Sequence, residues 1–408
     1  MTKLLGKKKV LSPLIILKLN YYKYSMGRNV ILYFGKMDLP FNNASASRVM
    51  GISSLLQSCG IEVFCYGYSK NEQPFCGDVD GVHIKNEKYP EKFIGYIKVF
   101  GNSKNIRKTI GQYSKNDIKA IFFTSIGHIN LKFLVKYCKT NKIPLIYDCG
   151  DIIRSSTKGF PFNIVSKIEY KIFNKYVKKH CSVMAISTFI ENYYKNKAVS
   201  IFNIPCIASS KSAKYVKTPV ADLVDEKYIN IFYCGDSGKN FCKDRVDLIV
   251  EEFAKLNSKN LKLYLAGVDQ KMFDVSESNV NIVFLGKISN EKCISYMKQM
   301  DLTILFRDDN EMTRAGFPSK ITESLMCGIP IACNLTSDLG KYLNTNNAIL
   351  VDGFGAEKCK ELFAKIQHFE KKDLELMKKS IKKDNPLESN LWAARLLDGI
   401  NEAQKKYE

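Results

Sequence analysis

Nowhere in the 408 residues do two cysteines stand as C-x-x-C. The 13 cysteines are odd in number and scattered, and the four histidines, His83, His128, His180 and His368, do not cluster. A zinc site is therefore not expected, and reduced thiols in a cytosolic protein are. No run of about 18 uncharged apolar residues occurs, so the length argument gives no membrane-spanning helix. The nearest run is VLSPLIIL, Val10 to Leu17. The chain also has no G-x-x-x-x-G-K-[ST] phosphate loop, no G-x-S-x-G and no His-Cys pair in a recognisable setting. A D-x-D form, Asp78 to Asp80, lies in a Gly-rich turn, where chance produces it often, so no metal ligands are expected.

What is present is length and positive charge. With 45% hydrophobic residues the chain is ample for two globular domains. The 62 Lys and Arg against 41 Asp and Glu give a formal charge of +21, which attracts polyanions or anionic lipid headgroups. The cations are spread along the chain without a compact RNA-binding motif, so nucleic acid is not the expected partner. An anionic membrane surface is, with a Lys-rich compositional bias as the plainer alternative.

Residues 1–25 form a basic leader around VLSPLIIL without a convincing cleavage site. Met26 stands immediately before GRNVILYFG, which reads as a first strand. Either translation begins at Met26 or the leader is a loose appendage. From Asn29 onward, β-branched runs alternate with amphipathic stretches, which implies βαβ units and a parallel sheet. The reading divides the chain into a doubly wound unit at 26–205 and a polar linker at 206–228. A second doubly wound unit follows at 229–385, then a C-terminal helix at 386–408 that packs back on the body. Val246, Ile249, Val250, Phe253 and Leu256 give the second unit its plainest helical stripe. In such sheets ligands sit where strand carboxyl ends point, so chemistry is sought in the loops after strands.

Three loops stand out. GKMDLPFNNASASR, Gly35 to Arg48, lets the backbone approach a ligand through small residues; Asn43, Ser45 and Arg48 are its candidate acceptor contacts, and an ordinary strand-to-helix connection is the competing reading. YCGDSGKNFCKDR, Tyr233 to Arg245, carries Gly235, Lys239, Lys243 and Arg245 at a helix start. The helix dipole disfavours cations there, so something anionic should offset them, and a phosphate would. RAGFPSKITESLMCGIPIACN, Arg314 to Asn334, opens a helix after Pro318 and ends it at Gly328. Lys320 can meet a phosphate beside the free N–H groups of that helix start, and Glu323, one turn on, suits paired ribose hydroxyls. A simple Lys320–Glu323 surface pair is the alternative. Asp151, in YDCGD, is a further cleft candidate, with capping of the following segment as the other reading.

The run LFRDDNEMTRAGFPSKITESLMCGIPIACNLTSDL resembles the donor-site segment of GT-B glycosyltransferases, particularly the family 4-like enzymes of bacterial surface polysaccharide synthesis. FYCGDSGKNFCKDRVDLIVEEFAKL is similar to the strand, phosphate loop and helix that open their C-terminal domain, and CSVMAISTFIENYYKNKAVSIFNIP to the segment closing their N-terminal domain. The resemblance implies two Rossmann-like α/β domains facing across a cleft. It assigns Lys243 or Arg245 with Lys320 to the donor diphosphate, Glu323 to the ribose, and Gly316 and Phe317 to the neighbourhood of the sugar. It also places His128 near the reacting sugar; a lone loop histidine is otherwise structural. Many members carry a first glutamate at the position of Ala315, where Arg314, Glu311 or Asp309 would have to substitute. The expected activity is retaining transfer of a sugar from a nucleotide diphosphate sugar to a lipid-linked or growing glycan acceptor, without a cofactor or metal, in the cytoplasm and peripherally on the inner face of the membrane. A GT-B nucleotide-sugar epimerase and a non-catalytic nucleotide-sugar-binding subunit are the rivals.

Overall fold

The computed structural model describes residues 29–40, 44–91, 95, 102–152, 162–208, 218, 220–221, 223–235, 243–273 and 281–408. The leader, Asn43 and Lys239 lie outside the described residues.

The first half builds a sheet ordered β3-β4-β2-β1-β5-β6-β7-β8. Its strands are β1 (Val30–Phe34), β2 (Glu62–Ser69), β3 (Cys76–Val79), β4 (Val82–Lys88), β5 (Ile118–Phe123), β6 (Leu145–Cys149), β7 (Ser182–Ala185) and β8 (Ile201–Asn203). All neighbours pair in parallel except β3 with β4. β1 is buried along its whole length, as expected of a strand covered on both faces by helices. The helices are α1 (Ala44–Ser58), α2 (Lys104–Ile110), α3 (His128–Asn141), α4 (Phe162–His180) and α5 (Thr188–Tyr194).

The second half builds an all-parallel sheet ordered β11-β10-β9-β12-β13-β14. It comprises β9 (Ile229–Cys234), β10 (Leu261–Ala266), β11 (Ile282–Gly286), β12 (Leu302–Leu305), β13 (Ile331–Asn334) and β14 (Ala348–Val351). Its helices are α6 (Val246–Leu256), α7 (Asn290–Met297), α8 (Glu311–Ala315), α9 (Ser319–Cys327), α10 (Ala356–Gln367) and α11 (Lys371–Lys383). Strand order reverses beside β1 in one sheet and beside β9 in the other, so the loops after β1, β5, β9 and β12 border the switch-point crevices.

Three local readings change. The first helix begins at Ala44, so Ser45 and Arg48 are helical rather than loop residues. Residues 76–88 form an edge hairpin, and the D-x-D form runs from the end of β3 into its turn: Asp80 and Gly81 both have positive φ, and Asp78 pairs with His83. The helix after β9 starts at Val246, leaving Lys243 and Asp244 in the loop and Arg245 as the cap residue.

The chain does not end in its second half. Helix α12 (Ala393–Tyr407) returns to the first, where Leu396, Leu397 and Ile400 join a core with Ile31, Ile52 and Ile204. Gly399 permits this approach, since a Cβ there would lie 2.5 Å from the Phe202 ring. Arg395 donates to the Asn203 carbonyl at 2.7 Å and the Tyr407 hydroxyl to that of His180 at 2.6 Å. The outward and returning crossings touch: Ala208 N–H donates to the Leu387 carbonyl at 3.3 Å, and Ser389 N–H to that of Ala208 at 3.1 Å.

Candidate functional site

Helix α9 starts after Pro318, whose ring cannot continue a helix backward, and no side chain caps it. It stops at Gly328, whose φ of +77° makes the left-handed cap. Lys320, in the first turn, does not extend into solvent. Its Nζ donates to Asp244 Oδ2 at 2.7 Å, while the Tyr233 hydroxyl donates to the same oxygen at 3.1 Å. Gly235 makes the path: a Cβ there would stand 2.2 Å from Lys320 Cε. The sequence reading gave Gly235 to the ligand, and the structure shows it first giving room to Lys320.

Asp244 also pairs with Arg307, Nε to Oδ1 at 3.1 Å, and both side chains are buried. Burial works against the Asp244 charge, yet Lys320 and Arg307 outweigh it and hold its pKa below the ordinary aspartate value. The same burial opposes the charge on Lys320, and its anionic neighbours overcome that, raising its pKa. Two cations thus share one carboxylate. The buried Nη1 of Arg307 has no hydrogen-bond partner among the described residues. Arg307 escaped the sequence reading; its signal was a cation placed immediately after the carboxyl end of β12, inside FRDD.

Glu323 does not pair with Lys320 as a surface bridge. Lys320 is bound to Asp244, and the Glu323 carboxylate makes no hydrogen bond or ion pair recorded among the described residues. Burial raises its pKa, with Lys320 opposing. A half-buried carboxylate left open one turn from a helix start suits a ligand with hydroxyl donors.

The cations after β9 behave differently. Arg245 is clamped by Asp247, at 2.6 Å from Nη2, and by Asp308, at 3.0 Å from Nη1. Lys243 reaches across the cleft to Asp151 at 3.0 Å. The anions expected to offset these charges are the protein's own carboxylates. Asp151 also accepts from the Ile152 N–H at 2.8 Å; the segment it was expected to cap lies outside the described residues.

Other candidates separate. Phe317 is buried edge-on against Tyr342, with ring centroids 5.5 Å apart. Gly316 has an ordinary φ of −84°. Arg48 is buried: it pairs with Asp148 at 2.7 Å and donates to the Ile204 and Pro205 carbonyls at 2.9 and 2.8 Å. It braces the first domain and is not an accessible contact, whereas Ser45 is exposed. Ala315 is fully buried and its carbonyl accepts from Ser187 Oγ at 2.6 Å, closing the cleft wall. Arg314 is held by Asp309, with two contacts of 2.7 Å.

Across the cleft, His128 opens α3 after β5, and Glu169 of α4 holds it: Nδ1 to Oε1 is 2.7 Å and the backbone N–H donates to the same oxygen at 3.2 Å. Lys36, after β1, feels Glu169 as well. Burial lowers its pKa to about 8, against the carboxylate. Neither Lys36 nor Glu169 was legible as a site residue, because the cluster joins three segments distant in sequence. Ser187–Ala315, Asp151–Lys243, and Thr188, whose N–H and hydroxyl donate to Asp338 at 2.7 and 2.8 Å, bridge the two halves.

Residues 229–369 match the family model described as glycosyl transferases group 1. No curated protein sequence matches the chain. Among solved structures, the chain is similar to sucrose-phosphate synthase from Thermosynechococcus elongatus, with 14% identity, TM-score 0.62, and 91% of this chain and 97% of that one covered. It is also similar to a glycosyltransferase from Rickettsia africae, at 14% identity and TM-score 0.59, covering 93% and 99%. A third likeness is to Anabaena Alr3699/HepE in complex with UDP and glucose, at 12% identity and TM-score 0.59, covering 91% and 100%. The fold is that of the two-domain GT-B glycosyltransferases, and its second half carries the glycosyl transferases group 1 match.

Proposed function

We propose that the protein is a retaining glycosyltransferase that moves a sugar from a nucleotide diphosphate sugar to a hydroxyl of a lipid-linked or growing glycan acceptor. The observation that carries the reading is the buried Lys320–Asp244–Arg307 cluster at the uncapped start of α9, with the open carboxylate of Glu323 beside it. Departure of a nucleoside diphosphate develops negative charge. A helix start and two fixed cations stabilise that charge without reorganising at the moment of reaction. Asp244 fixes Lys320 and is not consumed. Glu323 takes the ribose hydroxyls. Across the cleft, Glu169 holds the His128 ring in one orientation toward the incoming sugar, and Lys36 adds a lysine whose pKa lies within reach of neutral pH. The similar HepE structure holds UDP and glucose, which supports a nucleotide-sugar donor. The charge of +21 supports a place at an anionic membrane surface on the cytoplasmic side.

The test is thermal shift against UDP, GDP, ADP, CMP and dTDP, with and without magnesium. An upward shift with one diphosphate, unchanged by magnesium, is expected by linkage. No shift with any of them would overturn the donor site. Ala315 favours a second reading: where the resemblance implies a glutamate, this chain has a buried methyl and a cleft-wall contact. Nucleotide binding without turnover over a broad donor panel would select that non-catalytic role.

A further inference from the structure

Helices α3 and α4 lie side by side on the outside of the first sheet, running in the same direction. Glu169 joins them at the cleft end through His128, and Lys132 sits 5.7 Å over the Tyr176 ring one turn further on. Helix α4 shows an unusual outer face. Ile164 and Ile168 are 50% and 54% exposed, and Ile172 continues their row. Residues four apart share a helix face, so this is a continuous apolar stripe. Directly alongside runs a second row at the same spacing, Lys167, Lys171, Lys175 and Lys179, all exposed. Ile129, 38% exposed, extends the apolar patch onto the first turn of α3. Helix α3 carries three lysines and no acid; α4 carries five lysines and one acid, Glu169, which is occupied by His128. At the far end of the isoleucine row the two helices form a half-open pocket of about 350 Å³, lined by Lys132, Ile172, Lys175, Tyr176, Lys179 and His180. Burial first, then Lys139 and Lys179, lowers the His180 pKa.

We propose that this α3–α4 face is a docking surface for an anionic lipid bilayer, with the isoleucine row entering the headgroup boundary and the lysine-lined cavity taking a lipid phosphate. Single exposed apolar residues need no explanation, but an apolar row flanked by a lysine row is the pattern of an interfacial helix. A second copy of the chain would set lysine row against lysine row. A nucleic-acid backbone would leave the isoleucines in water. The patch begins at the cleft end of both helices, one residue from His128, so an acceptor anchored in the bilayer would present its reacting end at the cleft mouth. This deepens the proposed function and rests on it for its purpose, though not for its test.

The full chain is sedimented with vesicles of phosphatidylcholine alone and of equal parts phosphatidylcholine and phosphatidylglycerol. Binding to the anionic vesicles only is expected. Ile164→Ser with Ile168→Ser should weaken it by about a hundredfold, roughly tenfold for each side chain kept in water. Lys175→Glu with Lys179→Glu should weaken it at least as much, by about fivefold or more per charge removed near the surface. Lys259→Glu with Lys292→Glu, the same charge change on the second half, should weaken it far less. Equal loss from that control pair, equal binding to both vesicles or none to either would overturn the proposal. So would a concentration-dependent dimer abolished by the isoleucine changes. Thermal shift with the nucleotide on the same variants should be unaltered. Vesicle binding by a protein that ignores every nucleotide would leave this surface standing and remove the donor site instead.

Discussion

The two cationic loops of the second half look alike as sequence and differ as structure. After β9, Arg245 is saturated by Asp247 and Asp308, and Lys243 is half-spent on Asp151. Around α9, Lys320 and Arg307 divide a single buried aspartate between them. Arg245 and Lys243 meet three carboxylates between them, whereas Lys320 and Arg307 meet one in a largely buried place. A cation's availability to a ligand follows from how many carboxylates it meets, and those carboxylates come from other segments.

The sharpest break of this contrast is Lys320→Ala. Loss of a charge-assisted contact worth about 1.5–3 kcal/mol should weaken nucleoside diphosphate binding by about 10–100-fold by calorimetry. Glu323→Gln comes next. It should cost about tenfold toward the nucleoside diphosphate and leave inorganic pyrophosphate binding unchanged, because a net hydrogen bond of about 1–1.5 kcal/mol goes to the ribose alone. Equal losses for both ligands would place Glu323 at the phosphates.

The same variant should melt higher, because an amide in that buried place carries no charge to desolvate. Burial raises the Glu323 pKa in the folded protein. Its contribution to stability is therefore full below its unfolded pKa and falls as pH rises through the folded value. The gain from Gln should accordingly grow with pH across that window, and a gain constant with pH would refute the cause. Asp244 has the opposite sign: its depressed pKa gives stability that is lost as pH falls through it.

Smaller still is Arg245→Ala, expected to alter nucleotide affinity by no more than about twofold, since its hydrogen bonds are internal. If it matched Lys320→Ala, the distinction between the loops would collapse. Lys243→Ala should cost the least, below about 1 kcal/mol of stability for a half-exposed pair. Its effect should appear in the angle between the halves by small-angle scattering, and not in affinity.

The alternation of strands and helices and the helix punctuation are legible in the sequence because both are local. Apolar β-branched runs marked most of the strands, and Pro318 and Gly328 marked the ends of α9. The β3–β4 hairpin was missed because its exposed, polar edge lacks an apolar run. Helix α1 starts earlier than the sequence suggests, because Ala-Ser-Ala-Ser reads as loop until Val49 and Met50 are seen to be buried. Lys320 and Glu323 were legible as candidates from the helix start, but what holds or frees them was not. Asp244 stands 76 residues from Lys320, Glu169 stands 41 from His128, and Asp148 stands 100 from Arg48. Nothing in one-dimensional spacing foretells such pairs.

The chain passes from the first half to the second near Ala208 and comes back near Leu387, and the two passages are hydrogen-bonded to each other. Two separate links would let the halves twist and slide; two links fused at one line leave a single easy swing about that line. Opening and closing then become one coordinate, and the contacts between Ser187 and Ala315, Thr188 and Asp338, and Asp151 and Lys243 are latches along it. A ligand that touches both walls of the cleft need only shift how far along that arc the protein rests.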